Sequence, residues 1–122
     1  MAKHITIGQL GEEEVVRFIE NNGHTILDRN FRSRFGELDI VSKKDGIVHF
    51  IEVKSVEEKP WMDQLPEENV TQAKREKMAK TIEIYLSEKR LEGVDFTIDI
   101  AGVFVNLANK SARVRILEDV TF

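Results

Sequence analysis

Apolar residues recur at helical spacing at Leu10, Val15, Phe18 and Ile19, which predicts a helix over about Thr6 to Asn22 with Gly23 as its stop. Gly8 and Gly11 lie beside that stripe; glycine weakens a helix, so close packing against a sheet is the expected return. The period then shortens to two. His24–Asp28 predicts a short strand, and Glu37–Val41 and Ile47–Lys54 predict two more, joined by the turn dipeptide Asp45-Gly46. A second helix is predicted from Val70 to about Arg90, with Ala73, Met78, Ala79, Ile82, Tyr85 and Leu86 as its apolar face and Thr71 as a candidate N-cap. After Gly93, Phe96–Val105 is apolar on both faces and predicts an internal strand. Asn106–Ser111 makes a turn, and Ala112–Leu117 alternates as an edge strand with one wet face. The order is α-β-β-β-α-β-β, an α/β chain whose 122 residues suit one domain.

The hairpin carries charges where its apolar pattern should continue: Glu37, Asp39, Glu52 and Lys54. If Asp45 and Gly46 are the loop, Lys44 pairs with Ile47 and Val41 with Phe50. Asp39 then meets Glu52, and Glu37 meets Lys54. Opposed residues on one face lie about 4.5–5.5 Å apart at Cβ, so two carboxylates would repel unless a proton or cation resolves the clash. Mg²⁺ suits such a pair, because it takes one or two carboxylates together with water and phosphate oxygens. Lys54 lies one step along the same face and could steady a water or a developing negative charge. The plainer reading is an exposed strand face of mixed charge, common in a chain that is 33% charged. Against it, Leu38, Ile40, Ile51 and Val53 are strongly apolar, and Val48 and Phe50 share the face of Glu52.

Composition narrows the chemistry. With no cysteine there is no disulfide, thiol nucleophile or cysteine-based zinc site. His4, His24 and His49 have no metal-ligand spacing, and His49 reads as structural. The first residues lack an apolar signal core and no run is long enough to span a membrane, so a cytoplasmic protein with no membrane partner is expected. The net charge of −4 argues mildly against broad nonspecific DNA binding. Its distribution softens that objection. Arg29, Arg32 and Arg34 cluster before the hairpin, and Lys74, Arg75, Lys77 and Lys80 cluster after it.

Three segments leave alternatives open. Arg29–Phe35 reads as a basic loop, either touching nucleic acid through arginines and stacked aromatics or anchored by Phe31 and Phe35 with its arginines solvated. Ser55–Glu68 carries Pro60, Pro66 and Trp61 and reads as a long loop near the site. Lys74, Arg75 and Lys77 crowd the N-terminal half of the second helix, where cations oppose the macrodipole; they hold a phosphate or are simply solvated. On the first helix Glu12 and Glu14 both flank the apolar stripe. Either could reach the sheet edge, or form a solvated acidic turn.

GQLGEEE, LDRNFRSRFGELDIV, VHFIEVKS and NVTQAK with IEIYL, in that order and spacing, resemble the YraN family of small bacterial proteins. That family falls in the restriction-endonuclease-like superfamily of D…(D/E)-x-K nucleases. The resemblance covers residues from about Gly8 to Ile100. It implies a single nuclease-like domain, residues 1–122, with a mixed sheet of about five strands flanked by helices. It implies that Asp39 and Glu52 are metal ligands, Lys54 the catalytic lysine, and Glu12 a further catalytic or metal-binding carboxylate. The chain departs from the pattern at Val56, where an arginine is common, and at Thr97-Ile98-Asp99, where many members have an arginine before a Phe-Asp pair.

The expected activity is Mg²⁺- or Mn²⁺-dependent hydrolysis of DNA phosphodiester bonds, with branched or damaged DNA as candidate substrates. Arg32, Arg34 and Lys74 are the candidate phosphate contacts, and a homodimer would allow both strands to be cut. The alternative is a catalytically inactive module that keeps the nuclease fold to bind nucleic acid or protein. A third reading is metal-dependent chemistry on a small phosphorylated substrate.

Overall fold

A computed structural model describes residues 6–59 and 71–120. Helix α1 spans Ile7–Asn21, followed by strands β1 (Thr25–Ser33), β2 (Gly36–Lys44) and β3 (Ile47–Glu57), helix α2 (Gln72–Glu88), and strands β4 (Phe96–Asn106) and β5 (Ser111–Leu117). The element order is the one the sequence predicts. Thr6 caps α1 through a reciprocal pair of bonds with Gln9, and the Thr71 hydroxyl accepts the Lys74 amide to cap α2.

The strands form one sheet in the order β1-β2-β3-β4-β5. Only β3 and β4 run parallel, and the connection between them carries α2, since parallel neighbours need a long crossover. Asp45 and Gly46 both take positive φ, at 52° and 79°, as a type I′ hairpin requires. The derived register holds through Lys44↔Ile47 and Val41↔Phe50.

Adjacent residues of β3 feed different cores, so the sheet is covered on both faces. Ile51, Ile40, Ala101, Val103 and Val105 pack with Val15 and Ile19 of α1. Phe50, Val48, Val41 and Leu38 pack with Met78, Ile82 and Tyr85 of α2. Strand β5 alternates between half-buried and exposed residues, the wet edge its sequence suggests. His49 Nδ1 lies 2.8 Å from Asp99 Oδ2 and 2.9 Å from the Thr97 hydroxyl, on the face of β3 away from Glu52.

Some expectations are corrected. Arg29–Ser33 is not a loop but the second half of β1, held by antiparallel pairing of Arg29 with Ile40 and Arg32 with Glu37. Strand β3 runs three residues past Lys54, because Ser55–Glu57 pair with Val103–Val105 of β4. From Pro60 onward the expected long loop, with Trp61 and Pro66, lies outside the described residues. Phe18 is 43% exposed; the stripe that seats α1 is Gly11, Val15 and Ile19, one residue per turn. Ala73 and Ala79 are exposed, and Thr81 takes a buried place on α2 instead. Among the described residues no helix is long and apolar enough to cross a membrane.

Candidate functional site

Strands β2 and β3 part company at Asp39. Their ladder ends at Ile40↔Ile51, one pair short of Asp39 and Glu52. Beyond it β2 stays with β1 as far as Gly36, while β3 stays with β4 as far as Glu57. Asp39 Oδ2 accepts the Val53 amide at 2.8 Å, so a side chain replaces the ladder's next backbone bond. The expected pairing of Glu37 with Lys54 does not form, because the strands have already diverged.

A backbone irregularity accompanies the fork. Asn30, opposite Asp39 on β1, has φ of 55°, and the β1–β2 pairs on either side are Arg29↔Ile40 and Phe31↔Leu38. Ile40 joins the α1-side core, whereas Leu38 and Phe31 join the α2-side core with Val41. Strict alternation therefore breaks between Leu38 and Ile40, which lie in different cores although they are two residues apart.

Asp39, Glu52, Glu37, Phe35, Gly36, Lys74, Lys77 and Met78 line a cleft of about 380 Å³ in the fork. Glu52 is buried, and its Oε1 is ion-paired with Lys74 Nζ. Burial pushes the Asp39 carboxyl up to about 8, with the neighbouring Glu52 charge next in effect. Glu12 and a hydrogen bond to the Glu52 carboxyl act in the same direction, and the Val53 amide opposes them. The clash of carboxylates expected from the register is thus present, although the formal ladder stops one pair earlier.

Glu12 approaches from the α1 side. Gly11 lets the helix rest on β3: a Cβ there would fall 1.7 Å from Ser55 Oγ. The next residue then reaches the fork. Its carboxyl is raised chiefly by burial; Arg29 opposes this, and Glu37 and Glu52 add to it. The Asn30 amide, oriented with its nitrogen toward the acids, donates to Glu12 Oε1 at 3.1 Å and Glu37 Oε1 at 2.7 Å. Glu14, by contrast, pairs with Arg17 on the exposed helix surface.

Lys54 is half-buried on β3. Val53 packs toward α1 and Ser55 lies against Gly11, so Lys54 and Glu52 share the opposite face, as expected. Lys54 does not line the cleft itself. Arg32 pairs with Glu37 at 3.3 Å and is 78% exposed. Arg34 stacks over the Phe35 ring at 4.8 Å from its centroid, with Lys80 over the same ring at 5.1 Å. The two basic clusters, far apart in the chain, therefore meet where the β1–β2 turn packs on α2. Ser33 Oγ lies 2.9 Å from Thr81 Oγ1 at that contact. Lys77, which the sequence groups with Lys74 and Arg75 as a candidate phosphate contact, also lines the cleft. It stands one helical turn after Lys74.

The donor set fits a hard divalent ion of modest demands. Among the described residues no three acidic or histidine side chains form a ready ligand cluster. Mg²⁺ does not require one, being commonly held by one or two carboxylates with water and substrate oxygens completing its shell. Asp39 and Glu52 supply that pair.

The family model described as "Uncharacterised protein family UPF0102" matches residues 11–103. The chain belongs to family UPF0102. The matched stretch includes every candidate site residue, from Glu12 through Arg32, Arg34, Asp39, Glu52 and Lys54 to Lys74. Similar UPF0102 proteins include one from Helicobacter pylori strain HPAG1, 42% identical over 98% of this chain and 95% of its own length. Another, from Nitratiruptor, is 38% identical over 98% and 96%, and one from Clostridium tetani is 36% identical over 93% and 91%. The resemblance to the YraN family read from the sequence is correct at the level of the family.

Proposed function

We propose that this UPF0102 protein is a metal-dependent endonuclease that hydrolyses DNA phosphodiester bonds. The observation that carries the reading is the pair Asp39 and Glu52, two carboxyls brought together where the sheet forks, one of them raised to about 8 by burial and by the other. Asp39 and Glu52 would hold Mg²⁺ or Mn²⁺, with the Val53 carbonyl and Glu12 as further candidate ligands. The bound ion would supply Lewis-acid stabilisation of phosphate charge and a more acidic water.

The chain's own groups do the rest. Lys54, on the face of Glu52, orients the attacking water or offsets charge that develops on the phosphate. Lys74 and Lys77 at the cleft, and Arg32 and Arg34 beside it, receive the phosphate backbone. Water attacks phosphorus and the bond to the 3′ oxygen breaks, which leaves a 5′-phosphate and a 3′-hydroxyl. Cutting both strands at once would take two copies of a one-site chain, so a homodimer fits this reading.

The alternative is a nuclease-fold binding module without turnover. It is favoured by the Lys74–Glu52 ion pair, which offsets one carboxylate without any metal. Mn²⁺ titration of the wild type and Asp39→Asn, alongside cleavage of labelled DNA, separates the two. Binding and cutting that both vanish in the variant support the nuclease. A wild type that neither binds metal nor cuts supports the module.

A further inference from the structure

The ion pair that speaks for the alternative also has a place in the nuclease. We propose that Lys74 is a tethered stand-in for the metal: its ammonium holds Glu52 while the site is empty, and an entering divalent ion displaces it into the cleft. This rests on the reading of Asp39 and Glu52 as the metal site.

Three observations carry it. First, the Glu52 side chain is only 5% exposed, and a buried carboxylate left unpaired is costly, so some cation must accompany it. Lys74 Nζ forms an ion pair with it. Second, Lys74 stands at an unfavourable position on its own helix. Thr71 caps α2, which makes Lys74 the third helical residue, at the positive end of the macrodipole, with no acidic residue in that turn. Its pairing with Glu52 offsets that placement. Third, the Lys74 side chain is 46% exposed, on a flexible stem beside the open cleft, so it can leave without unpacking a core.

Ammonium and divalent ion would both take Glu52 as partner, and their like charges disfavour joint occupancy. Exchange follows. The freed ammonium remains at the cleft, one helical turn from Lys77, where a substrate phosphate is the anion it would meet.

The test uses the full chain and Mn²⁺, with free ion counted by electron paramagnetic resonance. Lys74→Met should bind Mn²⁺ about tenfold more tightly than wild type, because the competing cation is gone. Equal or weaker binding overturns the proposal. Because the substitution could unsettle buried Glu52, a second measurement uses the wild type alone. Acylation of lysines by a small activated ester, read by mass spectrometry, should label Lys74 severalfold faster with saturating Mn²⁺ while Lys80 is unchanged. Unchanged Lys74 labelling with the ion bound overturns the proposal. Asp39→Asn separates the failures. If it binds Mn²⁺ as wild type does, the metal site itself is wrong and this inference falls with it. If it loses Mn²⁺ but Lys74→Met gains nothing, only the exchange is wrong.

Discussion

The carboxylate of Asp39 accepts the backbone amide of Val53 at 2.8 Å, across a sheet that has just ceased to pair. One oxygen is committed to keeping β3 in place, and Asp39 is pressed against Glu52 in the same fork. The residue therefore combines a structural bond with a carboxyl whose ionisation burial and the neighbouring Glu52 charge oppose. Asparagine can keep the bond through its carbonyl oxygen while removing the charge. Asp39→Asn should fold with an unchanged circular dichroism spectrum, bind no Mn²⁺ and cleave at least a hundredfold more slowly, on the order of the loss expected when a key electrostatic group is removed.

The same contact sets a pH dependence. The Asp39 carboxyl titrates near 8 in the folded protein and near 3.8 when unperturbed. Between those values the folded chain holds a proton that the unfolded chain has released, so stability falls as pH rises through the window. Below the lower value the contribution is fully present; above about 8 it is lost. Thermal melts of metal-free protein should decline from pH 5 to pH 8, and millimolar Mg²⁺ at pH 8 should recover part of the loss. Asp39→Asn should be more stable than wild type at pH 8, by roughly 1–3 kcal/mol, with a flatter pH profile. A variant as pH-sensitive as wild type would assign the slope elsewhere.

Gly11 tests how Glu12 is delivered. Alanine there would bring Cβ to 1.7 Å from Ser55 Oγ and 2.8 Å from Ser55 Cβ, so rotating the hydroxyl away does not suffice and the helix must lift. Gly11→Ala should cost about 1–3 kcal/mol in urea denaturation. Gly11→Ala with Ser55→Gly should recover much of it. Ser55→Ala alone should be neutral or slightly stabilising, since its buried hydroxyl has no hydrogen-bond partner among the described residues.

Tyr85 offers a control remote from the cleft. Its hydroxyl donates to Asp28 Oδ2 at 2.8 Å, and burial with that hydrogen bond and charge holds the phenol well above its ordinary range. Tyr85→Phe should cost about 1–2 kcal/mol of stability in chemical denaturation and leave Mn²⁺ binding unchanged.

The sequence was most legible where local rules act alone. Asp45-Gly46 specified a turn of one geometry, and counting from it placed Val41 opposite Phe50 correctly. Thr71 as cap and β4 as an internal strand followed from side-chain chemistry and two-faced hydrophobicity. What stayed hidden depends on partners distant in the chain. Arg29–Ser33 looks like a loop because its charges interrupt the strand pattern, yet β2 supplies the pairing that makes it a strand. The fork at Asp39 could not be read because alternation carries no signal for where two strands stop following each other. The ion pair between Lys74 and Glu52 joins residues on different elements, and only packing of α2 on the sheet reveals it.

Nuclease activity is measured by incubating the purified protein with Mg²⁺ or Mn²⁺ and labelled duplex, flap, four-way-junction and single-stranded DNA, with Lys54→Ala in parallel. Wild type should cut at least one of these to leave 5′-phosphates, and the variant should bind Mn²⁺ but not cut. Equal cutting by both would contradict the role given to Lys54. No cutting of any substrate by a wild type that also fails to bind Mn²⁺ would contradict the nuclease itself.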